Sequence, residues 1–206
     1  MSKGIPFKDR SNKSKDISII DLKYFISLFE REFNLPLYLM YGTLLGAVRQ
    51  GDFIPKDNDI DLAYVSRYRS LPEVFSEMLG LYDCLDKMSL LIDRGEGGGF
   101  SKNCGHAHVF CEDKRSKFDI WTSWIGEDGK YYFWSMGMGL PEAHLLPLAE
   151  VPLRGTDFKV PHKYKKVLEY LYGKDWTVEK SLKSHHYRSD SLDPINKLAE
   201  VGKNES

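Results

Sequence analysis

Apolar residues recur at helical spacing early in the chain, where Leu22, Ile26, Phe29 and Phe33 predict an amphipathic helix from Asp16 to about Phe33. Residues 1–15 are polar and rich in Lys and Ser, and read as a flexible N-terminal arm. Pro36 punctuates the helix, and Leu37-Tyr38-Leu39-Met40-Tyr41 is an apolar run that fits a short buried strand. Gly42-Thr43 breaks that run, and Leu44 to Arg49 begins a short helix. Gly51-Asp52 and Pro55 mark a loop, and Ile60 to Val65 is a second strand entered directly from an acidic stretch. Ser70-Leu71-Pro72-Glu73 then carries the marks of a helix start, with a capping serine, a proline in the first turn and a glutamate at capping-box spacing. That helix is expected to reach about Leu81.

Gly95 to Gly99 is a glycine-rich loop. His106 to Cys111 and Phe118 to Ile125 read as strands joined by the polar turn Glu112 to Lys117, an antiparallel hairpin. Asp128-Gly129 signals a second hairpin, followed by a strand over Tyr131 to Trp134. Beyond it the pattern is irregular until Lys163 to Tyr172, a helix closed by Gly173. With no internal repeat and no convincing linker, the chain reads as an arm over 1–15, one domain over 16–188 and a polar tail over 189–206. The expected fold is α/β (α+β by stricter labels), a small mixed sheet flanked by helices.

Composition adds little to this pattern but narrows the partners. The 206 residues are 42% hydrophobic and 29% charged, with 29 basic against 30 acidic side chains and a net charge of −1. Such a balance gives no sign of a general nucleic-acid-binding surface. The N-terminus lacks an apolar signal-peptide core, and no apolar stretch is long enough for a transmembrane segment. Three cysteines, Cys84, Cys104 and Cys111, cannot all pair within the chain, so a cytoplasmic, reducing location is expected.

The chemistry concentrates in Tyr41 to Tyr64, YGTLLGAVRQGDFIPKDNDIDLAY. Asp59 and Asp61 flank one residue at the mouth of a strand, so alternation turns both carboxylates to one face while Ile60 and Leu62 face the core. Carboxylates so close repel unless a cation lies between them, and an oxygen-rich site of this kind suits Mg²⁺ or Mn²⁺, which grip phosphate oxygens in turn. Gly42-Thr43 lies where a strand turns into a helix, a place where free N–H groups bind phosphate, and Arg49 would add a bidentate contact. The alternative is a turn, a surface helix and an acidic loop that solvates itself; the combination of features makes it the weaker reading.

This block resembles the LicD/fukutin family, through Gly42, Thr43, Leu44, Leu45, Gly46, Ala47, Val48, Arg49, Gly51, Phe53, Ile54, Pro55, Asp57, Asp59, Ile60 and Asp61. Looser likenesses are Phe118-Asp119-Ile120, Leu146-Pro147-Leu148, Gly155, Val160-Pro161 and Tyr170-Leu171-Tyr172-Gly173 with Trp176. The resemblance implies a nucleotidyltransferase-fold phosphotransferase that takes a CDP-activated alcohol (choline, ribitol or glycerol) and moves its phosphorylated group to a glycan hydroxyl, releasing CMP. It implies that Asp59 and Asp61 hold the metal, that Asp119 is a third carboxylate serving as ligand or base, and that Gly42, Thr43 and Arg49 hold the diphosphate. The substrate-binding set extends to Lys56, Asp57 and His108. Lys56 and Asn58 depart from the family pattern of Trp and Asp at those places, which weakens a choline assignment while leaving the carboxylates intact. The acceptor implied is a surface polysaccharide or a lipid-linked oligosaccharide, met by peripheral contact. Two other functions stand beside this one: transfer of a nucleotide monophosphate from an NTP, and a non-catalytic nucleotide- or glycan-binding module.

Several secondary features carry competing readings. Cys104, His106, His108 and Cys111 fall within a short span, but their spacing is not a standard zinc pattern. A hairpin turn centred near Asp113-Lys114 sets His108 across from Asp119 and His106 across from Trp121, where either imidazole would contact phosphate or carry a proton. Two half-buried structural histidines are an equal alternative, and one residue of slip would undo the pairing. Arg94 to Gly99 lacks the context of a phosphate-binding loop and reads as flexible. Trp121, Trp124, Tyr131, Tyr132, Phe133 and Trp134 read mainly as sheet packing, with one or two able to stack on a base or sugar. His185, His186, Lys163, Lys165 and Lys166 read mainly as solvated surface.

Overall fold

The computed structural model describes residues 5–90, 100–101, 106–110, 116–133 and 139–179. Helix α1 spans Asn12–Phe33 and starts four residues earlier than the periodicity predicts, because Ser11 caps it by accepting the Ser14 N–H at 3.1 Å. It ends at Asn34, whose φ of 53° lets the chain turn back into β1, Leu37–Leu39. Helix α2 follows at once, Tyr41–Gln50, then β2 at Ile60–Val65 and α3 at Leu71–Lys87. In place of the expected capping-box bond to the backbone of α3, the Ser70 hydroxyl donates to the Glu73 carboxylate at 2.5 Å.

Short β3 (Phe100–Ser101), β4 (His106–Phe110), β5 (Lys117–Ile125), β6 (Lys130–Phe133) and β7 (Leu140–Pro141) complete the main sheet. Among the described residues its order is β1-β2-β5-β4-β3, with β6 pairing the far half of β5 and β7 pairing β6. Among the described strands only β2 and β5 run parallel and the other pairs are antiparallel, so the sheet is mixed. The β4–β5 register sets His108 opposite Asp119 and His106 opposite Trp121, as the hairpin argument requires.

The stretch read as irregular holds a second sheet, β8 (Ala149–Leu153) with β9 (Thr156–Val160). Arg154 and Gly155 join them with φ of 49° and 76°, the positive values of a tight hairpin turn. Val151, Leu153, Phe158 and Val160 alternate inward. The last helix, α4, is Tyr164–Tyr172, and Gly173 closes it with φ 88°.

One face of β2 and β5 is dry. Phe25 of α1 stacks on Phe118 with centroids 4.8 Å apart, and Phe29 lies against Tyr64. From α3, Tyr82 bonds the Thr122 hydroxyl at 3.1 Å, which Tyr64 also meets at 3.0 Å. On the opposite face Ser123 meets the Tyr38 hydroxyl at 2.9 Å, and Tyr38 meets Tyr131 at 2.8 Å. These buried hydroxyls are satisfied in pairs, so they fix the sheet without leaving orphaned donors.

Residues ahead of α1 are not loose where they are described. Phe7 is fully buried and stacks on Phe53 at 4.1 Å, nearly coplanar. Its N–H donates to the Asp57 carbonyl at 2.7 Å and the Lys8 N–H to the Pro55 carbonyl at 2.6 Å, so this segment straps the loop ahead of β2. One aromatic side chain seated in the core outweighs the polar composition around it. The loop 94–99, Cys104, Cys111, Trp134, His185 and His186 lie outside the described residues, so of the four residues weighed for zinc only His106 and His108 are described.

Candidate active site

The parallel pairing of β2 with β5 places Asp61 directly opposite Asp119 at the leading ends of both strands. Asp59 sits one step before β2, on the same side, and Asp57 lies in the strapped loop behind it. Four carboxylates therefore converge where the first turn of α2 meets the sheet.

Asp61 is the best anchored of them. The Gly42 N–H donates to its Oδ2 at 3.1 Å and the Trp121 indole N–H to its Oδ1 at 3.2 Å. Its own N–H donates to Thr43 Oγ1 at 2.8 Å, and its carbonyl accepts the Met40 N–H at 3.1 Å. Gly42 and Thr43, expected to grip a diphosphate, are thus directed at Asp61: the helix start orients a carboxylate, and the anion it holds belongs to the protein. A Cβ at position 42 would lie 2.5 Å from Asp57 Oδ2 and 3.3 Å from Asp61 Oδ2, so any larger residue would displace the carboxylates.

Asp119 is held from two sides. His108 Nδ1 stands 2.5 Å from Asp119 Oδ1, and Lys117 Nζ lies 3.1 Å from Oδ1 and 3.4 Å from Oδ2. The same ammonium reaches Asp59 Oδ2 at 3.2 Å. With an ionised carboxylate as acceptor, His108 Nδ1 is the donor of this bond. Lys117 was not among the expected site residues; its position two before Asp119 on a strand, hence on the same face, was the signal available.

The electrostatics divide the group. Burial and the charges of Asp59 and Asp119 push Asp61 well above the usual carboxylate range. Burial and Asp119 also raise Asp59, with Lys117 opposing. Burial and Asp59 push Asp57 up to about 6 against the pull of Arg49. Asp119 goes the other way: burial raises it, but the His108 bond and charge and the Lys117 ammonium outweigh that and hold it below the usual range. The excess of negative charge and the all-oxygen donor set of Asp59, Asp61 and Asp119 fit a divalent cation such as Mg²⁺ or Mn²⁺. Among the described residues no three acidic, His or Cys side chains are drawn tightly enough to encircle an ion, and Lys117 stands between two of the three carboxylates.

Arg49 is half-buried at the end of α2, near enough to Asp57 to act on its charge. Lys56 is exposed on the rim. Of the aromatics, Tyr131, Phe133 and Trp124 are core, whereas half-buried Trp121 lines the centre with Tyr41 packed on it at 4.8 Å. Lys163, Lys165 and Lys166 are exposed. No described helix is long and apolar enough to cross a membrane.

The profile of the LicD/FKTN/FKRP nucleotidyltransferase domain matches residues 34–163, from the turn before β1 to the start of α4. Ribitol 5-phosphate transferase FKRP of Mus musculus is 24% identical over 156 residues, covering 73% of this chain and 30% of the relative. The Homo sapiens protein of the same name is 25% identical over 158 residues with the same coverage. The chain thus spans under a third of the length of these relatives. Among solved structures, the antibiotic-resistance factor ANT(2'')-Ia aligns with TM-score 0.45 at 19% identity, over 92% of this chain and 94% of that one. A c-di-GMP synthase, CdnE from Capnocytophaga granulosa, aligns with TM-score 0.41 at 12% identity, over 81% and 50%. With the family profile spanning both acidic strands and the helix between β1 and β2, the chain belongs to the LicD/FKTN/FKRP nucleotidyltransferase-domain family.

Proposed function

We propose that this chain is a divalent-cation-dependent phosphotransferase that moves a phospho-alcohol group from a CDP-activated donor to a glycan hydroxyl and releases CMP. The observation that carries the reading is the pairing of Asp61 with Asp119 beside Asp59, at the start of α2, within a domain of this family. The curated relatives are named for ribitol 5-phosphate transfer, which makes ribitol phosphate the first head group to test.

In this reading Asp59, Asp61 and Asp119 hold Mg²⁺ or Mn²⁺, which supplies neutralisation of the charge that builds on the transferred phosphoryl group. Gly42 and Thr43 keep Asp61 aimed, and His108 fixes the rotamer of Asp119. Arg49 and Lys56 would meet the donor phosphates. The acceptor hydroxyl attacks the phosphorus bearing the alcohol, the bond to the CMP phosphate breaks, and the acceptor proton passes to a carboxylate of the centre. Most of the rate gain comes from alignment and charge, since in-line displacement at phosphorus asks for little covalent help. The acceptor is a surface polysaccharide or a lipid-linked oligosaccharide reached peripherally.

Incubation with CDP-ribitol, CDP-choline, CDP-glycerol and ATP, with and without Mg²⁺, tests the assignment by product. CMP from a CDP-alcohol supports it and identifies the head group. Pyrophosphate from ATP would replace it with nucleotide transfer. Tight binding without turnover, indifferent to Asp61→Asn, would leave a binding module.

A further inference from the structure

We propose that Lys117 is a built-in cation of the acidic centre, seated between Asp59 and Asp119, and that a divalent ion binds there by displacing it. The inference rests on the metal-dependent reading above and adds that metal binding is an exchange of one cation for another.

The geometry distinguishes two halves of the centre. Lys117 Nζ touches Asp59 Oδ2 at 3.2 Å and Asp119 Oδ1 at 3.1 Å, with side-chain exposures of only 23%, 26% and 9% for Lys117, Asp59 and Asp119. Asp61, in contrast, is bonded by two neutral donors, the Gly42 amide and the Trp121 indole. One half carries its own counter-charge and the other does not. Because Lys117 opens β5 two residues before Asp119, the strand itself delivers the ammonium to the carboxylate face.

Occupancy of this seat is exclusive. Mg²⁺ and similar ions take carboxylate oxygens at about 2.0–2.1 Å, inside the shell where the ammonium now sits. An ion bound to both Asp59 Oδ2 and Asp119 Oδ1 would lie against Nζ with like charge and little water between them. The ammonium must leave, and its flexible four-carbon stem allows that, whereas a planar guanidinium would hold both carboxylates more firmly. Until the exchange, Lys117 offsets the repulsion that the clustered aspartates would otherwise exert on the folded sheet.

The test is Mn²⁺ binding to the full chain, followed by the loss of the free-ion EPR signal, in wild type, Lys117→Met and Lys117→Arg, with folding checked by circular dichroism. Lys117→Met is expected to bind Mn²⁺ about tenfold more tightly than wild type, since no resident charge has to be expelled, and Lys117→Arg to bind no more tightly than wild type. A residue with a merely structural role would weaken binding when removed. Unchanged or weaker Mn²⁺ binding by folded Lys117→Met overturns the exchange while leaving the metal-dependent reading in place. Lys117→Gln replaces it under the same criterion if Lys117→Met does not fold. Absence of Mn²⁺ binding in every folded protein overturns both.

Discussion

Asp61 on β2 stands directly across from Asp119 on β5, in a parallel register that also sets Ile60 against Phe118 and so puts both carboxylates on one face. Neighbouring strands are about 4.8 Å apart, so two charges at this level of the sheet cannot escape one another. Asp61 bears the cost, its carboxyl pushed well above the usual range by burial and by Asp59 and Asp119. Asp61→Asn keeps the shape and removes the charge. It is expected to raise the melting temperature of the metal-free protein while lowering transfer by at least about 100-fold. A thermal melt and a rate on the same preparation check both halves.

The same strain predicts a pH dependence. An unfolded aspartate titrates near about 3.9. Asp57 is pushed up to about 6 in the folded chain, and Asp61 moves in the same direction. Between these values the folded state binds more protons than the unfolded state, so stability falls as pH rises through the window. Asp119, held below its usual range, loses its contribution only in stronger acid and does not offset this trend. The metal-free protein should therefore melt higher at about pH 5 than at about pH 7.5, and Asp57→Asn should flatten the slope. Calorimetry across that range, in EDTA, measures it.

His108 acts on Asp119 through a contact of 2.5 Å and sits opposite it in the β4–β5 register. Partners that orient a ligand carboxylate are commonly worth about 10- to 100-fold in activity or metal affinity. His108→Ala is expected to lose activity in that range and to weaken Mn²⁺ binding, with the far-ultraviolet spectrum unchanged. A variant with full activity would make the histidine structural.

Phe7 gives a prediction at a distance from the chemistry. It is fully buried, stacks on Phe53, and its backbone N–H holds the carbonyl of Asp57. Phe7→Ala should destabilise the chain by about 3 kcal/mol, the usual cost of emptying a buried phenylalanine site. Because the strap also carries the loop with Asp57, the loss should appear as weaker metal binding below the unfolding transition. Urea titration with Mn²⁺ binding at low urea separates the two effects.

Much of this site was legible in the residues. Asp59-Ile60-Asp61 had to face one way once Ile60 to Val65 was a strand, and a hairpin turn centred near Asp113-Lys114 implied the observed pairing of His108 with Asp119. What escaped were features without local periodicity. Phe7 is one aromatic in a polar run, and only its tertiary partner Phe53 shows why it matters. The β8–β9 hairpin was hidden by prolines at 147 and 152, although Val151 and Leu153, then Phe158 and Val160, alternate on either side of Arg154-Gly155. Lys117 read as part of a polar turn, because a lysine next to a strand is usually solvated. The helix start at Tyr41 shows a relationship that one dimension hides. Its glycine and threonine look free for phosphate in one dimension, and only the fold brings Asp61 into their hydrogen bonds.

The central claim is that the Asp61–Asp119 centre performs metal-dependent transfer from a CDP-linked alcohol. Phosphorus NMR of a reaction containing CDP-ribitol and a glycan acceptor follows it directly, with wild type, Asp61→Asn and Asp119→Asn each in Mg²⁺ and in EDTA. The account predicts CMP and a new phosphodiester in equal amounts from wild type with Mg²⁺, and neither from EDTA samples or from the two variants. CMP formed at the wild-type rate by folded Asp61→Asn, or by wild type in EDTA, would contradict it.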